Sequence, residues 1–488
     1  METYEFLRRQ GFGRKACIAT IAPPGCDAAT LFLSVAGACR CAPLNPALRP
    51  EDFAFAFSDT KTKALVVAGE LPEALVQVAR DCNVRVFLAN RRSTRAGDWV
   101  LSEVGYVAEQ PNEDCAPDGN DVALYLHTSG TTSRPKLVPI LHSSILRTAH
   151  DISRLLELTV DDCSLCIMPL FHVHGLVAAL LAPLMTGGRV WCAPGFQAGR
   201  FQEWLIESGA SWYTAVPTMH QEILLRVRRN AGSPSHRLRL IRSCSAPLPE
   251  VVWTDLRSAF GVPVVQAYGM TEAAHQISST SLADHEWETG SVGISTGPDI
   301  GIMTAEGNLQ GKEQTGEVVL RGESIIRAYS GSVEANSAFS SGWFRTGDQG
   351  YIDAYGNLRL TGRLKELINR AGEKISPYEV EEVLLRHVGV EQAVAFAIPD
   401  HLLGEIVGVA VVPKPDAGVT ELQLRAWCRQ VLASHKVPRK VILVDRLPRG
   451  STGKLQRIGM ASFFGLGTHG IGGHFGVRDV KRRQANDS

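Results

Sequence analysis

A loop rich in hydroxyl side chains is the first segment of the chain whose residue types suggest chemistry. It follows the apolar run 122–126 and ends at Lys136. Hydroxyl and backbone N–H groups in a tight loop can surround a polyphosphate, and a lysine neutralises part of its charge. A Ser/Thr-rich linker would have the same composition, so both interpretations stay open for the loop alone. Its candidate phosphate-binding residues are Thr128, Ser129, Gly130, Thr131 and Thr132.

A second segment places a threonine and a glutamate directly after an apolar run at 262–265. The end of such a strand can present Thr271 to a phosphate and Glu272 to Mg²⁺. A carboxylate oxygen beside substrate phosphates is the usual ligand arrangement for magnesium. Further along, Asp348 stands on a turn where a carboxylate can accept both hydroxyls of a ribose, and Lys454 stands on a loop flanked by glycine. Taken singly, each of these segments could be an ordinary surface turn.

The elements that must position these residues follow an α/β pattern. Short apolar runs alternate with helical patterns from residue 18 to about 266, which indicates layers of helices around largely parallel sheets. From about residue 301 turn residues and alternating patterns predict a β-rich subdomain. A smaller α+β unit follows a joint near 361–365. We therefore predict a large domain at 1–361, a small domain at 362–462 and a loose tail at 463–488.

Composition narrows the class of protein. Lys+Arg and Asp+Glu both total 50 in 488 residues, so no basic excess indicates a nucleic-acid partner. The eleven cysteines show no paired zinc spacing, and buried thiols are the favoured interpretation of Cys163 and Cys166. The apolar run 176–185 is about half the length of a membrane span. With no secretion signal and no Ser-Lys-Leu ending, a cytoplasmic location is expected.

Together these motifs resemble the adenylate-forming superfamily of acyl- and aryl-CoA ligases, peptide-synthetase adenylation domains and beetle luciferases. The resemblance extends over about residues 18–457 and implies an α/β fold of two domains. It implies that the loop ending at Lys136 surrounds the ATP phosphates and that Tyr268 stacks on adenine. Asp348 and Arg363 would hold the ribose. ATP, Mg²⁺ and CoA are the implied cofactors.

The same resemblance implies how the reaction is divided. Lys454 would bridge the acid and the α-phosphate, where negative charge concentrates in the transition state. The small domain would then rotate about a hinge at Lys365 so that a thiol can attack the acyl carbon. Three features depart from the family pattern: Ser133 stands where many members have glycine, Leu137 replaces a common glycine, and the segment before residue 18 looks short.

Within the superfamily, the segments 168–175, 212–218, 241–246 and 368–377 resemble the oxalate–CoA ligases of plants and fungi. In that branch the residues matching His174, Ser245 and His275 are the candidates for the acid pocket, with Arg242 behind them. Imidazole, hydroxyl and guanidinium groups suit a second carboxylate better than an alkyl tail. We therefore expect a small di- or tricarboxylic acid as substrate. A structural corner formed by His172 and His174 is the competing interpretation.

Two other functions compete with an acid–CoA ligase. An enzyme that loads a carrier-protein thiol would perform the same adenylation, although the residues after Arg457 are not expected to form a carrier domain. A degenerate homologue could bind nucleotide or a partner without turnover. The presence of Lys136, Glu272, Asp348 and Lys454 argues against that second alternative, and the short N-terminus argues for it.

Overall fold

The fold is described from a computed structural model, which covers residues 2–95, 97–104, 116–128, 135–229, 235–283, 288, 290–331, 337–448 and 457–466. The first sheet has the strand order β5-β4-β3-β1-β2-β6-β7, with parallel pairing in its centre and antiparallel pairing at β4–β5 and β6–β7. Its strands β1 to β7 are Cys17–Ile21, Arg40–Pro43, Thr62–Ala68, Arg85–Arg91, Trp99–Glu103, Val122–Thr128 and Lys136–Leu141. Helices α1 to α5 that accompany it are Glu2–Arg9, Cys26–Ala36, Pro50–Thr60, Glu73–Asp81 and His142–Leu155.

The second sheet has the order β14-β13-β12-β11-β10-β8-β9 and is parallel from β9 to β12. Apolar side chains between this sheet, the first sheet and their helices form the main core. Strands β8 to β14 are Cys163–Cys166, Arg189–Cys192, Trp212–Ala215, Leu240–Ser243, Val264–Met270, His275–Ser279 and Ile294–Ser295. Helices α6 to α9 are Ala182–Met185, Phe201–Ser208, Pro217–Arg229 and Glu250–Phe260, with 3₁₀ turns at Ala198–Arg200 and Thr271–Ala273.

The apolar stretch that follows β8 is a π-helix, His174–Leu181, which continues into α6. It is buried against α5 and the second sheet rather than exposed. Within the part of the chain that the structure describes, no helix has both the length and the apolar character that crossing a bilayer requires. A π-helix is rare and often marks a functional site, because the wider turn shifts side chains out of their helical register.

A β-rich layer follows, as the alternating pattern predicts, and its strands are antiparallel with the order β15-β16-β18-β17 and β19 beside β18. These strands are Asp299–Met303, Gly316–Arg321, Phe339–Ser340, Trp343–Ile352 and Leu358–Arg363 for β15 to β19. The last unit has the strand order β21-β20-β23-β22, with β24 parallel to β23. It consists of β20 Ile368–Arg370, β21 Glu373–Ile375, α10 Pro377–Leu385, β22 Val390–Asp400, β23 Gly404–Pro413, α11 Glu421–Val431, β24 Lys440–Leu443 and α12 Met460–Phe463.

The α/β class with parallel sheets, a β-rich subdomain and a small α+β unit is confirmed. The apolar run 122–126 lies within β6, whereas the run 262–265 overlaps β12 only in part, because that strand begins at Val264. The predicted boundary between residues 361 and 362 lies within β19, and the division into 1–361, 362–462 and 463–488 stays a prediction.

Candidate active site

Asp348 is hydrogen-bonded to both of the other residues predicted to bind the nucleoside, Tyr268 and Arg363. It lies on β18 directly opposite Arg363, the last residue of β19, and accepts a hydrogen bond from Arg363 Nε at 2.7 Å through Oδ1. Its other oxygen, Oδ2, accepts from the Tyr268 hydroxyl at 2.5 Å. The Asp348 carboxylate raises the pKa of Arg363, and burial together with that carboxylate raises the pKa of Tyr268. The phenol therefore stays protonated and the guanidinium charged, so both hold Asp348 in one orientation.

The hydroxyl-rich loop connects two antiparallel strands. Thr128 ends β6 and Lys136 begins β7, and the two residues are cross-strand partners. The ends of the loop are thus fixed next to each other by the sheet. Ser129, Gly130, Thr131 and Thr132 lie outside the described residues.

Lys136 and Glu272 are connected through a tyrosine that sequence reasoning missed. Nζ of Lys136 lies 4.5 Å from the centre of the Tyr329 ring, within the range of a cation–π contact. The Tyr329 hydroxyl donates to Oε1 of Glu272 at 2.8 Å. Tyr329 follows no motif in the sequence, so nothing local would have identified it.

Glu272 is the candidate metal ligand among the described residues of this region. Glu272 and Thr271 are both buried on the 3₁₀ turn that follows β12. A carboxylate and a hydroxyl are hard oxygen donors, which suits Mg²⁺ bound mainly by substrate phosphates and water. Among the described residues, no group of three His, Cys, Asp or Glu side chains is placed to bind a metal ion.

Arg242 is the centre of the predicted acid pocket and is fully buried on β11. Its Nη1 donates to Thr214 Oγ1 at 3.1 Å, and its Nη2 donates to Gln276 Oε1 at 2.7 Å and to His275 Nε2 at 3.2 Å. These acceptors are all neutral. In the described part of the chain, no carboxylate lies within ion-pair distance of this guanidinium. Burial lowers the pKa of Arg242, and the neighbouring Cys244 offsets only part of that effect.

The other pocket candidates surround that guanidinium. The rings of His174 and His275 stack with their centres 4.9 Å apart and their planes at 22°. Ser245 Oγ lies 3.1 Å from His174 Nδ1, and Thr214 Oγ1 lies 2.6 Å from His174 Nε2. The four residues predicted for the pocket, His174, Arg242, Ser245 and His275, therefore meet in space.

Local backbone geometry brings the acid pocket close to the 3₁₀ turn Thr271–Ala273, called the metal-side turn below because it carries Glu272. Ser245 and His275 have φ angles of 75° and 110°, in the left-handed region that costs free energy for residues with a Cβ. A Cβ on Gly269 would lie 1.9 Å from the His275 carbonyl oxygen, so only glycine allows β12 to approach the start of β13 this closely. Tyr268, Glu272 and His275 consequently lie on one tight hairpin.

Thr214 and Gln276 were also missed from sequence. Thr214 is the direct cross-strand partner of Arg242 in the parallel pair β10–β11, and Gln276 follows His275 on β13. The sequence of either strand alone does not reveal which residue lies opposite Arg242 in the parallel pair. Only the tertiary register reveals this pair.

The hinge candidate Lys365 lies between β19 and β20, and Lys454 lies outside the described residues. Arg457, three positions after Lys454 in the sequence, donates from Nη1 to Glu366 at 2.8 Å and from Nη2 to Glu381 at 2.7 Å. An ion pair therefore connects Arg457 to Glu366, the residue that follows the predicted hinge Lys365.

Comparison with known proteins identifies the family to which the chain belongs. Residues 5–330 match the family model described as AMP-binding enzyme, and residues 379–454 match the AMP-binding enzyme C-terminal domain. The chain is 42% identical to an oxalate–CoA ligase of Arabidopsis thaliana over 89% of this chain and 85% of that protein. It is 37% identical to an oxalate–CoA ligase of Saccharomyces cerevisiae over 87% and 82%. The fold is similar to that of ATP-bound MatB from Rhodopseudomonas palustris, with a TM-score of 0.84, 24% identity and 95% and 91% of the chains covered.

Proposed function

The chain belongs to the AMP-binding enzymes and is an AMP-forming acid–CoA ligase that uses ATP, Mg²⁺ and CoA, and from this premise we propose that its acid is a small di- or tricarboxylic acid. The oxalate–CoA ligases among its relatives support this choice of substrate class.

The observation that carries the proposal is the buried Arg242 guanidinium with neutral neighbours. A buried cation is costly unless an anion compensates it. Thr214 and Gln276 accept hydrogen bonds from its Nη1 and Nη2 but contribute no charge. The carboxylate of a short acid that lies farther from the reacting one would supply that charge. An alkyl or aryl tail would leave the pocket's polar groups unpaired, at a cost of about 1–3 kcal/mol each.

The nucleotide half of the site is proposed from the same arrangement. Tyr268 would stack on adenine, and the pair of Asp348 with Arg363 would accept the ribose hydroxyls. Glu272 would bind Mg²⁺, which neutralises phosphate charge when bound. Phosphate contacts are proposed for Thr128, Ser129, Gly130, Thr131, Thr132, Lys136 and Thr271.

These residues would support two half-reactions. In the first, a carboxylate oxygen of the acid attacks the α-phosphorus of ATP, pyrophosphate leaves and acyl-AMP forms, with Lys454 stabilising the charge at the α-phosphate. In the second, the CoA sulfur attacks the acyl carbon and AMP leaves. We propose that the unit 362–462 turns about Lys365 between these steps, relative to residues 1–361.

The test is a pyrophosphate-release screen with Mg·ATP and acids of increasing length and charge. We expect oxalate, malonate or tricarballylate to be used faster than hexanoate or cinnamate. Arg242→Met should lose most of that preference, because it keeps the side-chain volume but removes the cation. Arg257→Met is the matched control, since Arg257 stacks on Trp253 outside the pocket. Faster turnover of hexanoate or cinnamate by the wild-type enzyme would refute the substrate proposal but not the adenylation chemistry.

A further inference from the structure

Tyr329 touches two oppositely charged groups of the nucleotide site with two different parts of its side chain. Its ring face lies against the Lys136 ammonium, and its hydroxyl donates to the Glu272 carboxylate. Tyr329 itself is 7% exposed. Within the described residues, no ion pair joins Lys136 directly to Glu272.

We propose that Tyr329 is a positioning residue that separates Lys136 from Glu272, so that the lysine stays available to ATP phosphates and the glutamate to Mg²⁺. The inference rests on the nucleotide roles proposed above for these two residues. Without a spacer, the flexible lysine could pair with the carboxylate. In such an ion pair the two charges would neutralise each other, so the lysine would attract phosphate less and the glutamate would attract Mg²⁺ less.

A tyrosine suits this task because its two ends have opposite electrostatic character. The ring face carries negative potential and attracts a cation, whereas the hydroxyl proton is attracted to a carboxylate. The hydroxyl bond to Oε1 also fixes the rotation of the Glu272 carboxylate.

Backbone contacts on both sides of Tyr329 hold it in this position. The Ile326 N–H donates to the Glu272 carbonyl at 2.9 Å, and the Ser330 N–H donates to the Leu137 carbonyl at 3.0 Å. The segment 326–330 therefore connects the start of β7 to the metal-side turn. Phe344, whose ring centre lies 6.4 Å away, packs beside the Tyr329 ring.

Two substitutions separate the two contacts. Tyr329→Phe keeps the ring beneath Lys136 and removes the hydroxyl from Glu272. We expect it to weaken ATP binding about tenfold with Mg²⁺ present and to leave metal-free ATP binding almost unchanged. Tyr329→Leu removes both contacts and should weaken ATP binding with and without Mg²⁺.

The decisive variant adds Glu272→Gln to Tyr329→Leu. If Lys136 has been captured by Glu272 in the leucine variant, removing the carboxylate charge should release it. Metal-free ATP binding by the double variant should then be tighter than that of Tyr329→Leu, several-fold at low salt where ion pairs are strong. If Tyr329 served packing alone, the double variant would bind metal-free ATP no more tightly than Tyr329→Leu does.

The experiment is calorimetric titration of the full-length variants with ATP, with Mg²⁺ or with EDTA, and with no acid present. Tyr125→Phe is the matched control, because Arg40 lies over the Tyr125 ring on β6. Thermal melting checks that each variant is folded, and Tyr329→Phe alone carries the test if the leucine variants are not. Wild-type Mg²⁺ dependence in Tyr329→Phe, or no recovery in a folded double variant, would overturn the inference. If Glu272→Gln and Lys136→Ala themselves leave ATP binding intact, the proposed nucleotide roles fail instead.

Discussion

Nη2 of Arg242 lies 3.2 Å from Nε2 of His275, and since a guanidinium can only donate, the imidazole accepts the hydrogen bond through that nitrogen. His275 therefore holds the buried cation and lines the proposed acid pocket at once. We therefore expect the imidazole to take part in acid selection.

His275→Ala should raise the KM for the acid and change the KM for ATP little. The substitution leaves a buried guanidinium donor without its acceptor, at a cost of about 1–3 kcal/mol. It should also narrow the difference between a dicarboxylate and a monocarboxylate of equal length. Steady-state kinetics with both acids checks this, and an equal rise in both KM values would place His275 outside the acid pocket.

Glu272→Gln should raise the Mg²⁺ concentration needed for half-maximal pyrophosphate release. An amide keeps the shape of the side chain, and can still face the Tyr329 hydroxyl, but loses the charge that binds a hard cation. Mg²⁺ titrations at saturating ATP and acid measure the effect. A variant with the wild-type Mg²⁺ profile would remove Glu272 from the proposed metal site.

Lys454→Ala should abolish acyl-AMP formation while sparing thioester formation from supplied acyl-AMP. The proposed charge contact at the α-phosphate exists only in the first half-reaction, and its loss should cost about 3–4 kcal/mol, or a few hundredfold in rate. Single-turnover assays of each half-reaction measure this. Lys436→Ala is the control, because that lysine pairs with the exposed Glu379. Equal losses in both half-reactions would contradict the two-conformation scheme.

Arg457→Ala should destabilise the C-terminal unit by about 3–5 kcal/mol, since it leaves Glu381 buried without its partner. Lys436→Ala should cost less than about 1 kcal/mol, as an exposed pair does. Thermal and urea unfolding compare the two variants. A similar cost for both would show that Arg457 contributes no more than a surface charge.

The loss of stability caused by Arg457→Ala should also become smaller as the pH falls. Burial raises the pKa of Glu381. A carboxyl whose pKa is higher in the folded than in the unfolded state binds its proton more tightly when folded, so lowering the pH favours folding. Without Arg457 this effect should grow. Unfolding measured at about pH 8 and about pH 5 gives the comparison, and a deficit that grows on acidification would contradict this assignment.

The sequence was informative where function depends on neighbours along the chain. Runs of apolar residues located strands such as β6 and β12, because a buried strand requires apolar side chains at neighbouring positions in the sequence. The motifs that end those strands identified Lys136 and Glu272, and with them the AMP-binding family. The α/β class, predicted from alternating apolar runs and helical patterns, and the acid–CoA ligase activity, implied by the resemblance of the motifs to the family, are both confirmed.

What the sequence by itself determined was therefore the inventory of reactive groups and the elements that carry them. Only the tertiary structure decided which groups meet. His174 and Ser245 are far apart in the chain yet lie 3.1 Å apart, and Tyr329 reaches Glu272 across a similar sequence separation. The absence of an acidic partner for Arg242 among the described residues is likewise a property of packing. Such contacts are set by strand register and backbone turns such as that at Gly269, which act between distant segments and leave no periodic pattern in either one.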